Sequence, residues 1–295
     1  MEVFLIWSYD FPDDDVRKKV SVSLPEASVQ LYSLASQFSA DMNGSLDRIA
    51  ALGLRNVEAF DFVGRPAEIR AALDASGLSA PTGHAPLLSD ELWTPDGSIP
   101  TPAPEVVLEA AATVGIRTLF DPFVAPDRWL TEDGVADIAE RLNAAADVAA
   151  GFGISVGYHN HAQEFVATFG DQSAYERFVS LLDDRVTLEL DLFWALAGGQ
   201  DVPALVTRLG SRLVAAHVKD GVVPASNPWA PGAEAFGAAS VDQRHAGTGE
   251  VPLADALRAA SGLEYAVIEY DNPPGDVFDD VAASLAYLRA EGLAA

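Results

Sequence analysis

Along most of the chain, short runs rich in β-branched and aromatic residues alternate with alanine- and leucine-rich stretches whose apolar positions recur at helical spacing. The runs "SVQLYSL" (28–34), "NVEAF" (56–60), "LSAPTGH" (78–84), "TLFDPF" (118–123), "SVGYHN" (155–160), "TLELD" (187–191), "LVAAHVK" (213–219) and "YAVIEY" (265–270) predict eight strands. After them, "SLDRIAALG", "PAEIRAALDASG", "PEVVLEAAATVG", "VADIAERLNAAADVAAGFG", "SAYERFVSLL", "VPALVTRLG", "PLADALRAASG" and "VFDDVAASLAYLRAEG" predict eight helices. Several end in glycine, which tolerates the left-handed turn at a helix C-terminus, and Pro66 and Pro252 stand where a first helical turn accepts proline. Eight strand–helix units predict a single-domain (β/α)₈ barrel over residues 26–295. A doubly wound sheet shares the alternation, but it would be expected to place a glycine-rich dinucleotide loop after its first strand. "VQLYSLASQFSADMNG" has none. Residues 1–25 are read as an N-terminal extension or cap. Segments 87–105 and 220–250 exceed ordinary connections and are expected to be lids or binding loops.

Composition narrows the function. Eighteen basic residues face 44 acidic ones, a net charge of −26. That surface repels phosphate backbones and anionic lipids, so neither nucleic acid nor membrane is expected as a partner. The absence of cysteine excludes disulfides, zinc–thiolate sites and cysteine nucleophiles. No apolar run reaches the ~20 residues of a membrane span. The opening "MEVFLIWSYDFPDDD" lacks a basic region before its apolar patch, so the expectation is a soluble, cytoplasmic protein.

The chemistry of such barrels sits at the C-terminal ends of their strands. Here those ends carry Glu58, His84, Asp121, His159, Asn160, His161, Asp191, His217, Lys219, Glu269 and Asp271, while the strand interiors read as apolar. Asp191, His217 and Glu269 come from the last three strands. They could each cap a strand or pair with a neighbour. Together they can converge on one divalent cation and leave positions open for water or sugar oxygens.

The stretches "VQLYSL", "YHNHAQEF", "DLFWALAGGQD", "RLVAAHVKD", "GTGEVPL" and "EYAVIEYD" resemble the sugar phosphate isomerase/epimerase superfamily. These are xylose isomerase-like barrels that also include type IV AP endonucleases. The similarity runs from about Ser28 to Arg289. It implies one divalent metal held by glutamate, aspartate, histidine and glutamate from the fifth to eighth strands. On this chain the last three are Asp191, His217 and Glu269. The first is where the sequence departs, because "HNH" puts His159 at the glutamate's place. Either His159 ligates, the preferred reading, or Glu164 swings back and His159 does not. Two imidazoles and two carboxylates would favour Mn²⁺, with Zn²⁺, Co²⁺ or Mg²⁺ as alternatives.

His161 lies two residues beyond His159, and strand alternation aims both at the barrel mouth. The resemblance to dehydratase relatives makes His161 a proton-transfer base; otherwise it orients His159. Lys219, the barrel's only lysine, either neutralises an enolate oxygen or pairs with Asp220. Glu58, His84, Gln30, Glu164, Trp194 and Arg244 are the candidate substrate contacts, with His245 beside Arg244. Glu269 is a candidate for catalysis as well as for the metal.

The resemblance implies isomerisation or epimerisation of a sugar, sugar phosphate or cyclitol by proton removal beside a carbonyl, through a metal-stabilised enediolate. A dehydratase or lyase acting on a keto-sugar, inosose or 3-keto-glycoside is the alternative. A non-catalytic barrel serving as a binding or partner subunit is the second. The expected partner is a small sugar or cyclitol, and a homo-oligomer is compatible with the sequence.

Overall fold

The computed structural model describes residues 23–94, 97–233, 237 and 241–295. The first 22 positions of the expected N-terminal extension lie outside them. Eight parallel strands form one sheet: β1 Glu26–Val29, β2 Asn56–Ala59, β3 Ser79–His84, β4 Thr118–Asp121, β5 Ser155–His159, β6 Thr187–Asp191, β7 Leu213–Val218 and β8 Tyr265–Ile268. Each pairs with its sequence neighbour from β2 round to β8, and β8 pairs with β1. A single bridge between Gln30 and Glu58 closes the ring, reinforced by a Gln30 Nε2 to Glu58 Oε1 hydrogen bond of 2.8 Å. The result is a TIM barrel.

Helices α1 Met42–Ala51, α2 Pro66–Ser76, α3 Pro104–Val114, α4 Glu132–Ala150, α5 Ala174–Leu181, α6 Val202–Leu209, α7 Leu253–Ala259 and α8 Val277–Ala290 cover the outside. Their ends follow local chemistry. Asp41, Thr131 and Asp201 accept amides at the N-termini of α1, α4 and α6, and Ser173 with Glu176 makes a capping box on α5. Gly77 and Gly115 close α2 and α3 in the left-handed conformation. Pro66 opens α2 as expected, whereas Pro252 caps α7 instead of entering its first turn.

One predicted strand is displaced. Residues 28–34 read as a strand, yet β1 ends at Val29 and Leu31–Leu34 tighten into a 3₁₀ turn. The Gln30 side chain accepts the Tyr32 amide, and Ser33 Oγ accepts the Tyr270 amide from the end of β8. The turn is thus fixed by contacts that strand propensity does not contain. The segment 87–105 is no bare loop either, since it holds the hairpin Glu91–Thr94 with Gly97–Pro100.

Inside the ring, Phe120, Ala215, Tyr265 and Val267 form an apolar plug. Gly157 leaves room for it. A β-carbon there would stand 2.7 Å from Cδ1 of Phe120 and 2.5 Å from the Thr187 carbonyl oxygen. The backbone atom cannot rotate away. Gly157→Ala is therefore expected to destabilise the barrel by about 1–3 kcal/mol through overpacking. A lowered urea midpoint with unchanged slope would register this.

Candidate active site

Strand alternation turns a fixed set of side chains inward: Gln30 after β1, Glu58 on β2, His84 on β3, His159 on β5, Glu189 and Asp191 on β6, His217 on β7 and Glu269 after β8. All are buried, above the apolar plug and at the C-terminal end of the barrel. A cavity of about 340 Å³ between Glu26, Asn56, Arg289 and Ala295 opens at the opposite end and holds none of this chemistry.

His217 is the centre of the cluster. Its Nδ1 lies 2.8 Å from Glu269 Oε2, and its Nε2 lies 2.7 Å from Glu58 Oε1 and 3.2 Å from Glu189 Oε2. Both ring nitrogens face carboxylates, so each needs a proton. Burial opposes the charge, but Glu189 and Glu269 outweigh it and hold the imidazole well above its usual range. His84 Nε2 stands 2.6 Å from Glu189 and 3.1 Å from Glu58. Burial pushes its pKa down, yet Glu58 and Glu189 carry it up to about 10. His159 Nδ1 lies 3.0 Å from Glu189 Oε2. Burial, with His217 and His84 beside it, drives this ring well below the ordinary value, so it is neutral.

Lys219 forms the other half. Its Nζ is 2.9 Å from Asp191, 2.6 Å from Glu269 and 2.8 Å from Asp271, and 5.4 Å from the Trp194 ring centroid. The expected alternative of a pair with Asp220 is not formed. Asp191 also does local work, because Oδ1 accepts the Trp194 amide at 2.8 Å and caps the short helix Leu192–Ala197. Asn160 straps the tips of β5 and β6. Its Oδ1 accepts the Asp191 amide at 2.9 Å and its Nδ2 donates to the His161 carbonyl at 2.9 Å. An asparagine between two histidines thus ties the His161 and Asp191 backbones together.

His161 makes no bond to the cluster. Its ring packs 5.2 Å from His159, 5.0 Å from Trp229 and 5.8 Å from Phe123, centroid to centroid, and Nδ1 is buried without a hydrogen-bond partner among the described residues. Burial, aided by Lys219, pushes its pKa down to about 3, leaving a neutral imidazole at physiological pH.

The structure brings His159, Asp191, His217 and Glu269 together: one donor atom from each lies within 4.8 Å of all the others. His84, His159, Glu189 and His217 form a second set meeting the same limit. The donor types suit a divalent cation. Glu58 Oε2 and Glu189 Oε1 are buried with no hydrogen-bond partner among the described residues, as carboxylates awaiting a positive charge would be.

The remaining candidates lie around this network. Glu164 is fully buried, with Oε1 accepting from the Tyr158 hydroxyl at 2.7 Å and Oε2 from the His161 amide at 3.0 Å. It braces the His161 turn. Arg244 is exposed and pairs with Asp242 at 2.8 Å. Glu58 and His84 are interior members of the network. Trp194 is fully buried, with His161 and Lys219 above it. Asp121 accepts the amides of Leu87, Leu88 and Phe123, so its role is to hold loops. Sequence reasoning missed Glu189. The strand interior is not wholly apolar, and the signal was available: Glu189 shares the inward parity of Asp191.

A closed ring of eight parallel strands with an ionisable cluster at its C-terminal end defines an enzyme-type TIM barrel. The chain belongs to the xylose isomerase-like TIM barrel family, whose model matches residues 46–291. Among solved structures it is similar to a sugar phosphate isomerase/epimerase from Parabacteroides distasonis, with TM-score 0.70, 22% identity, and coverage of 97% of this chain and 100% of that one. It is similar to D-psicose 3-epimerase with D-tagatose from Clostridium cellulolyticum, with TM-score 0.60, 16% identity, and 92% and 100% coverage. It also resembles the probable 3-DHS dehydratase AsbF from Bacillus anthracis, with TM-score 0.64, 12% identity, and 90% and 98% coverage. A search of curated protein sequences finds no match. Among the described residues, no helix is long and apolar enough to cross a membrane.

Proposed function

We propose that the protein is a divalent-metal-dependent isomerase or epimerase of a sugar or cyclitol, acting by proton removal beside a carbonyl. The observation that carries this is the juxtaposition of two groups of side chains. His159, Asp191, His217 and Glu269 form a cation-sized donor set, and the neutral, unpartnered His161 stands beside it. A divalent cation held by those four would polarise the carbonyl and its neighbouring hydroxyl, with Mn²⁺ the favoured ion for two imidazoles and two carboxylates.

The rest is the work of the chain's own groups. His161 accepts the carbon-bound proton through its buried, unpartnered Nδ1. Lys219 places positive charge beside the oxyanion that develops on the substrate. Returned by the protonated His161 to the neighbouring carbon, that proton completes an isomerisation; for epimerisation the ionised Glu269 would relay a proton drawn from solvent. Dehydration is the second reading, because His161 stands apart from the donor set and can serve a leaving hydroxyl. Incubation with keto-sugars and inososes in deuterium oxide tests the proposal. Solvent deuterium should enter the carbon beside the carbonyl, and a panel with no exchange into any member that binds would refute it.

Metal loading should also move protons. His217 holds a proton on each ring nitrogen between Glu269 and Glu58, and a ligating imidazole must give one up. Affinity is therefore expected to rise with pH across the neutral range, with at least one proton released per cation. Calorimetry in buffers of different ionisation enthalpy measures that number. A value of zero would remove His217 from the ligands.

A further inference from the structure

The loops at the barrel mouth have an unusual charge distribution. The eight segments that follow the strands carry only four basic residues, Arg65, Arg128, Lys219 and Arg244. Every one is engaged by a carboxylate: Arg65 by Asp61, Arg128 by Asp137, Arg244 by Asp242, and Lys219 by Asp191, Glu269 and Asp271. Among the described residues, a ligand that arrives with its own negative charge finds no lysine or arginine of these segments without a carboxylate partner.

The place where such barrels often hold phosphate, the loops after the seventh and eighth strands, is occupied by the chain itself. The glycine-rich turn "HAGTGE" points its amides inward, as a phosphate cradle would. They close on the buried carboxylate of Asp220, which accepts from Gly247 at 2.9 Å, Gly249 at 3.0 Å and Val251 at 3.1 Å, and from Gly221 at 2.9 Å. A β-carbon at Gly249 would collide with that carboxylate, so the turn is shaped around it. The cradle has a resident anion.

The rim offers a different kind of contact. Tyr32 packs on Phe60 with centroids 5.2 Å apart on one side, and Phe123 packs on Trp229 at 5.7 Å on the other. Tyr32 is 46% exposed and Phe123 38%, so aromatic surface is available to a ligand entering the mouth. Such surface suits the C–H faces of a polyol.

We infer that the substrate of this site is an uncharged keto-sugar or keto-cyclitol, carrying neither phosphate nor carboxylate. The inference rests on the function proposed above and narrows it. Its warrant is the self-occupied amide cradle together with a carboxylate partner on every lysine and arginine of the mouth segments.

Calorimetric titration of the Mn²⁺-loaded protein with matched pairs tests it by binding, without requiring turnover. D-fructose, D-psicose and D-tagatose would be compared with their 6-phosphates, 2-keto-myo-inositol would be titrated alongside, and inorganic phosphate would serve as competitor. At least one neutral member should bind, and its phosphorylated counterpart should bind roughly tenfold more weakly or worse, a difference of about 1.4 kcal/mol. Millimolar inorganic phosphate should leave the neutral ligand's affinity unchanged. A phosphorylated member that binds as well as its parent overturns the inference, as does failure of every neutral member to bind. The broader proposal fails on a separate result, the absence of deuterium exchange into a ligand that does bind.

Discussion

Replacing Asp191 by asparagine is expected to strip the purified protein of its stoichiometric divalent cation. Asparagine keeps an oxygen to accept the Trp194 amide, so the short helix it caps should survive. What it loses is the negative charge between Lys219 and the donor set. Removing a group that merely orients a ligand costs about 10–100-fold in affinity. Loss of a ligand itself should exceed that. Metal analysis after dialysis, with titration to recover the affinity, gives the answer. Full occupancy in a folded variant would place the cation elsewhere, and the set His84, His159, Glu189 and His217 would then be the place to look.

Replacing His161 by glutamine should separate metal from chemistry. Glutamine preserves much of the volume beside Phe123 and Trp229 but cannot carry a proton. The cation should remain, since His161 makes no bond to the donor set, while turnover falls by about 10²–10⁴-fold, the usual cost of losing a general acid–base group. Deuterium exchange into a bound ketone should slow in parallel. Undiminished turnover would leave His161 a packing residue, and loss of the cation together with activity would make it a ligand.

The fold was legible because its signal is local and repeated. Each strand–helix unit carries its own alternation, and the helix ends carry their own caps. The exception, residues 28–34, shows where that logic stops, because Gln30 and Ser33 take their conformation from distant partners, Glu58 on β2 and Tyr270 after β8. The candidate site was legible in the same proportion. Asp191, His217 and Glu269 stand at strand ends, where a charged residue needs explaining. Glu189 stands one alternation deeper, and its meaning depends on His84, 105 positions away in sequence. The resting places of Arg244 and Glu164 were not readable, because each depends on the path of a loop. Asp242 pulls the first outward, and the Tyr158 hydroxyl and the His161 amide draw the second inward.

The network around His217 and Lys219 has a consequence for the life of the polypeptide. With no cation bound, protons on the imidazoles and the lysine ammonium already balance most of the buried carboxylates. The cluster therefore works like an ion-exchange resin supplied in its acid form. Under the proposed function, the barrel would close on a neutralised interior first and trade protons for metal afterwards, so that synthesis and metal supply would not need to coincide. A zinc finger has no such freedom, because its chain stays unfolded until the ion arrives.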